Sequence, residues 1–155
     1  MVSKSRNANF FAERRHIEVI IRPGREEDRV SLAKLDPHIE EERLREALKD
    51  KRVWIAWEND HIVGWLRFSW FWSSIPFMDM LYILEKHRRQ GIGQALVKEW
   101  EEAMEQQGCT QLLTSTQADE DGQHLYRRLG YQDAGCLLLP TQATELFFHK
   151  RIPNP

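Results

Sequence analysis

Two arginines, a glutamine and two glycines stand together as Arg88-Arg89-Gln90-Gly91-Ile92-Gly93, directly before a stretch of periodic apolar residues. A strand that ends in a glycine turn feeding a helix leaves several backbone N–H groups without partners, and their dipoles favour an anion there. Such a turn can cradle a phosphate. Gly91 and Gly93 remove the side chains that would hold a diphosphate off the backbone, and Arg88 and Arg89 can add charge-assisted bonds. The same residues would equally suit a plain helix start beside solvated arginines. Two familiar phosphate loops are excluded. The third glycine of the dinucleotide fingerprint would fall at Leu96, and no Gly-Lys-Ser or Gly-Lys-Thr is present. None of the 6 histidines has His-Glu-x-x-His spacing, and Cys109 and Cys136 lack the spacing of a zinc pair, so no metal site is expected.

The elements that must position this turn follow from hydrophobic period and punctuation. Residues 17 to 24 are β-branched and end in Pro23-Gly24, which reads as a strand. A helix with Asp28 as its cap and a second helix entered at Pro37 follow. Residues 52 to 57 and 61 to 72 read as a hairpin, and residues 77 to 84 as a strand leading into the turn. From Gly91 the period changes. Ile92, Ala95, Leu96, Trp100, Ala103 and Met104 share one face of an amphipathic helix that Gly108 ends. A strand over 109 to 116, a helix capped at Asp119 and stopped at Gly130, and strands over 134 to 139 and 145 to 151 complete the chain. The order β-α-α-β-β-β-α-β-α-β-β predicts a mixed three-layer α/β domain.

Composition narrows the class of partner. At 155 residues, with 30% charged and 41% hydrophobic residues, the chain matches one globular domain. A net charge of -2 gives no general attraction for nucleic acid. No apolar run approaches the roughly 20 residues that span a bilayer, so no membrane association is expected. Two unpaired cysteines and no cleavable leader point to the cytoplasm. Lys4, Arg6, Arg14 and Arg15 against Glu13 make residues 1-16 a basic leader, expected to be flexible, ahead of a single domain over 17-152.

The pattern Arg88-x-x-Gly91-x-Gly93 resembles the signature of the GCN5-related N-acetyltransferase (GNAT) superfamily. A second block, "LYRRLGY", places Tyr126, Gly130 and Tyr131 in another of its patterns. The chain departs from the family in having Glu85 where a proline is common, Asp119 for an asparagine and Gly122 for an alanine. The resemblance spans about residues 17 to 151. It implies a three-layer α/β/α acyl-CoA N-acyltransferase fold with a mixed, mostly antiparallel central sheet, and acetyl-CoA as cosubstrate. It further implies a diphosphate held by Arg88, Arg89, Gln90, Gly91, Ile92, Gly93 and Gln94, and a pantetheine arm pairing like an extra strand beside Tyr82, Ile83 and Leu84.

Acyl transfer by direct attack in a ternary complex needs a neutral amine, a held carbonyl and a leaving thiolate. By resemblance, Tyr126 protonates the leaving sulfur and the Ile83 N–H meets the oxyanion. Asp79 and Glu85 are candidates for the base, Asp79 the stronger, since Glu85 also suits a loop pair with a neighbouring arginine. Strict alternation puts Asp79, Leu81, Ile83 and Glu85 on one face, unless a bulge breaks the register. On the preceding strand, Leu66, Phe68, Trp70 and Trp72 form the better core face. Trp65 and Phe71 on the other face suit either sheet packing or an acceptor pocket. The expected acceptor is a small-molecule amine or a peptide or protein amino group, and a homodimer is compatible with the sequence. The alternative is a non-catalytic module of the same fold that binds or senses acyl-CoA.

Overall fold

The structure, a computed structural model, describes residues 18–153; the basic leader over 1–16 lies outside the described residues. Seven strands form one sheet in the order β1-β2-β3-β4-β5-β7-β6. They are β1 (Val19–Pro23), β2 (Val53–Glu58), β3 (His61–Phe71), β4 (Ile75–Ile83), β5 (Gln111–Gln117), β6 (Gln132–Leu137) and β7 (Glu145–Arg151). Every neighbouring pair is antiparallel except β4 and β5. The parallel pair needs a crossover, which α3 (Ile92–Gln106) supplies. The remaining helices are α1 (Arg29–Leu35), α2 (Glu41–Lys49) and α4 (Gly122–Arg128).

Both faces of the sheet bury apolar side chains, as a three-layer domain requires. On one face, Ile92, Leu96, Trp100 and Met104 recur every four residues along α3 and pack on Trp54, Leu66, Phe68 and Met78; Tyr126 of α4 and Phe148 extend that core. On the other, Leu32 of α1 and Leu44 and Leu48 of α2 cover Val53, Ile55 and Trp65. Trp65 is 1% exposed, which settles it as core and not as the wall of a pocket. The opposite face of β3 outruns its helix layer. Leu66 and Phe68 are buried as expected, but Trp70 borders a depression with Gln107 and Gly108 beyond the last turn of α3, and Trp72 is exposed.

Local departures from the expected elements have local causes. Asp28 stands at the start of α1 as expected but makes no side-chain capping bond there; it closes a 3-10 turn over Glu26–Asp28, its carboxylate accepting from the Arg25 N–H at 2.8 Å and from both ends of the Arg22 guanidinium. Pro37 precedes α2 by several residues, in a turn where the Asp36 carboxylate accepts the His38 N–H. Asp121, not Asp119, stands at the start of α4.

Candidate active site

The turn after β4 has the shape of an anion cradle. Residues Glu85–His87 form a 3-10 turn, and Arg89 (φ 60°) and Gly91 (φ 82°) are both left-handed. Left-handed residues on either side of Gln90 gather successive N–H groups into a concavity. The first bond inside α3 runs from the Ala95 N–H to the Gly91 carbonyl, so the N–H groups of Ile92, Gly93 and Gln94 precede the helical ladder. A Cβ on Gly91 would meet nothing within 4 Å, leaving the mouth open. A Cβ on Gly93 would lie 3.7 Å from Ile83 and from Leu125, ordinary contact distances where α3 begins against β4 and α4. Arg89, Gln90 and Gln94 are exposed around this mouth. Arg88 turns back, its Nε donating to the Ile83 carbonyl at 2.9 Å and its guanidinium lying 5.3 Å from the Tyr82 ring.

Beside the cradle the sheet opens. β4 and β5 pair only at Phe77 with Leu113 and Met78 with Thr114. From Asp79 onward β4 no longer pairs with β5, so the facing edges of the two strands are unpaired beyond an apex at Met78. The Leu84 N–H bonds to Val63 of β3, so alternation turns the main-chain groups of Leu81 and Ile83 toward the gap, while Tyr82 pairs with Trp65. The Tyr82 ring stacks on Trp65 at 4.9 Å.

Two titratable groups flank the apex from opposite faces. Tyr126 rises from α4 with its ring against Tyr131 and Phe148 and its hydroxyl beside Thr114. Thr114 donates to the Met78 carbonyl at 3.1 Å, tying that hydroxyl to the apex. Burial pushes the Tyr126 hydroxyl up to about 12, an effect that the Thr114 hydrogen bond opposes and the carboxylates of Glu120 and Glu145 reinforce. Asp79 is the extra residue of a bulge: Phe68 pairs with Met78 and Arg67 with Met80, so Asp79 has no partner across the ladder. The bulge breaks strict alternation. It turns the carboxylate to the face of Ser69, whose hydroxyl donates to it at 2.8 Å. Partial burial raises the Asp79 pKa from the ordinary carboxylate value, against the lowering effects of Ser69 and of the Arg67 and Arg52 charges.

Glu85 sits in the 3-10 turn, exposed, and its carbonyl accepts the Arg88 N–H. His124 is exposed on α4, and no metal-holding cluster occurs among the described residues. Thr114 and Ser69 escaped the sequence reading. The signal for Thr114 was a polar residue inside an alternating buried strand, where it is fully buried; nothing local distinguishes Ser69.

Residues 21–131 match the model of the acetyltransferase (GNAT) family. Aminoglycoside N(6')-acetyltransferase type 1 of Serratia marcescens is 36% identical over 62 residues, a match spanning 39% of this chain and 42% of that protein. Among solved structures, the ribosomal-protein-alanine N-acetyltransferase of Brucella melitensis superposes with a TM-score of 0.72 at 20% identity, covering 86% of this chain and 99% of that one. The PaiA N-acetyltransferase of Thermoplasma acidophilum, in complex with coenzyme A, gives 0.68 at 14% identity, covering 88% and 100%.

Proposed function

The chain belongs to the acetyltransferase (GNAT) family, and from that premise we propose that residues 17–152 form one N-acetyltransferase domain that moves an acetyl group from acetyl-CoA to an amine. The observation that carries this reading is the junction of an open N–H cradle at Gly91 with a gap between β4 and β5 whose apex holds Tyr126. The cradle and Arg89 take the diphosphate, and the main chain of Leu81 and Ile83 meets the pantetheine amides, with Tyr82 and Leu84 shaping the wall. An acceptor amine, small or peptidic, arrives in a ternary complex from the face of Asp79. That carboxylate takes the amine's proton, directly or through water, as the nitrogen attacks the thioester carbon. The Ile83 N–H faces the oxyanion. As the new C–N bond replaces the C–S bond, Tyr126 hydrogen-bonds the departing sulfur. The products are an acetylated amine and coenzyme A. No described helix is long and apolar enough to cross a membrane, and the free thiols of Cys109 and Cys136 suit a cytoplasmic setting for this reaction.

Calorimetry with acetyl-CoA tests the cradle, comparing the native chain with Gly91→Glu and Gly91→Asn. Asparagine tolerates the left-handed backbone that Gly91 adopts, whereas glutamate also places a negative charge at the mouth. Micromolar binding that survives in the Asn variant and is lost in a folded Glu variant is expected. Absence of binding by the native protein would overturn the reading.

A further inference from the structure

A ladder of aromatic rings occupies the sheet face opposite α3 and α4. Phe71 at the end of β3 lies 4.7 Å from Trp72 and 6.2 Å from Phe77 of β4, and Phe77 lies 5.9 Å from Phe147 of β7. Alternation fixes the face: Met78 and Phe148, next along the chain from Phe77 and Phe147, are buried in the α3 core. The packing of α1 and α2 falls on β2 and β3, away from these rings. Phe77 and Phe147 therefore lean toward each other across β5, at the level where β4 and β5 part.

The far end of the ladder is the turn between β3 and β4. Trp72 and Ser73 have φ of 51° and 57°, a left-handed conformation that a bulky side chain rarely takes. Both are the central residues of a two-residue hairpin turn closed by the Ser74 N–H on the Phe71 carbonyl at 3.2 Å, a turn that takes positive φ at both positions, and Trp72 is 79% exposed there. Two carboxylates beside the rings stand without an ion pair among the described residues, while the exposed Arg151 lies further along the same face of β7, four residues beyond Phe147. Arg67 is neutralised by the buried Asp36 at 2.8 Å and Arg52 faces Asp50 at 3.6 Å. Asp79, beside Phe77, and Glu145, two residues before Phe147, make no ion pair among the described residues.

We propose that the ladder is the acceptor-recognition surface, and that the acceptor is a primary amine carried on a flat aromatic ring: the ring stacks on Phe77, Phe147 and Trp72, and the ammonium points to Asp79. The inference rests on the acetyltransferase reading and names its substrate class. A ring on such a surface gains offset or edge-to-face contacts, and an ammonium between carboxylates is desolvated only as far as its attack requires. The transfer is the one given above: the ammonium first gives one proton to Asp79, the nitrogen bonds to the acetyl carbon as the C–S bond breaks, and the second N–H proton passes through water to the departing sulfur, so that the thiol is released.

The test compares acetylation of phenylethylamine and butylamine, which share the ammonium and differ by the ring, in the native chain, in Trp72→Ala and in Phe147→Leu. Trp72 is too exposed for its loss to threaten folding. The native chain is expected to prefer phenylethylamine by about tenfold or more in kcat/KM, the scale at which an apolar pocket discriminates. Both variants should lose most of that preference through KM while binding acetyl-CoA as the native chain does. Equal use of the two amines by the native chain, or a preference that both variants retain, overturns the proposal. So does a dimer that Phe147→Leu dissociates with the amine preference intact, since the ladder would then face a second copy. If the native chain binds no acetyl-CoA, the acetyltransferase reading fails by itself. Quenching of Trp72 fluorescence by phenylethylamine, absent with butylamine and lost in Trp72→Ala, then decides the surface alone.

Discussion

Tyr126 carries the most constrained chemistry in the molecule. A hydroxyl pushed up to about 12 stays protonated throughout the physiological range. Against a thiol near 8.5, complete proton transfer to the leaving sulfur is uphill by about 5 kcal/mol. The hydroxyl therefore acts as a hydrogen-bond donor, and Tyr126→Phe should slow acetyl transfer by about ten- to a hundredfold without abolishing it. The ring contacts with Tyr131 and Phe148 remain in that variant, so a folded protein with no detectable rate would contradict the assignment. Asp79 differs in its balance of rate and stability. Its pKa is raised in the fold, so folding favours its neutral form more than the unfolded chain does. Whatever stability that form contributes is complete below the unfolded pKa and is lost as pH rises through the folded pKa. Asp79→Asn should lower kcat/KM about a hundredfold at neutral pH, while thermal unfolding at pH 7 shows no loss of stability. Gly91, Gly93 and Tyr126 were legible because a short motif names them. The orientation of Asp79 was not, because a bulge is a relation between two strands and leaves no trace in the alternation of one.

At the scale of elements, β4 is the working part, and three of its features are set by neighbours. Its bulge is read against β3, its short parallel pairing against β5, and its end against the start of α3. The order of strands and helices was legible from period and punctuation, with α3 closest to expectation because its apolar residues recur without interruption. Helix starts were less so, since several acidic residues near Asp28 and Asp121 offer competing caps and tertiary partners choose among them. The face of Trp65 left packing and pocket both open, because both sides of β3 are covered at that point, which makes alternation uninformative. What holds the second cover is specific. Asp36, 1% exposed at the end of α1, accepts from Trp65 Nε1 at 3.1 Å and from Arg67 Nε at 2.8 Å. Asp36→Ala would leave Arg67 buried and unpaired, and urea unfolding should record a loss of about 3 to 5 kcal/mol. Asp36→Asn keeps an acceptor for Trp65 and should lose less.

For the whole molecule, the division of labour follows charge and face. Arg89 and the open N–H groups lie at the end proposed to take phosphate, and Asp79 lies near Met78 on the face proposed to admit an amine. The fold class and the open glycine turn after β4 could be read from sequence; the proposed acceptor surface could not, because it is assembled from β3, β4 and β7, which come together only in the folded sheet. The parallel seam has one more consequence, for the way the protein breathes. Strands β1 to β4 form one antiparallel unit and β5 to β7 another, and the ladder between them is confined to Phe77 and Met78 with their partners. A sheet stitched so briefly should open there first, as two cooperative units with separate opening free energies. Amide hydrogen exchange is expected to show β5 and β7 less protected than β2 and β3 in the free protein. Acetyl-CoA, lying across the seam, should slow exchange in β5 and β7 most, so that the cosubstrate serves as the missing rung of the sheet.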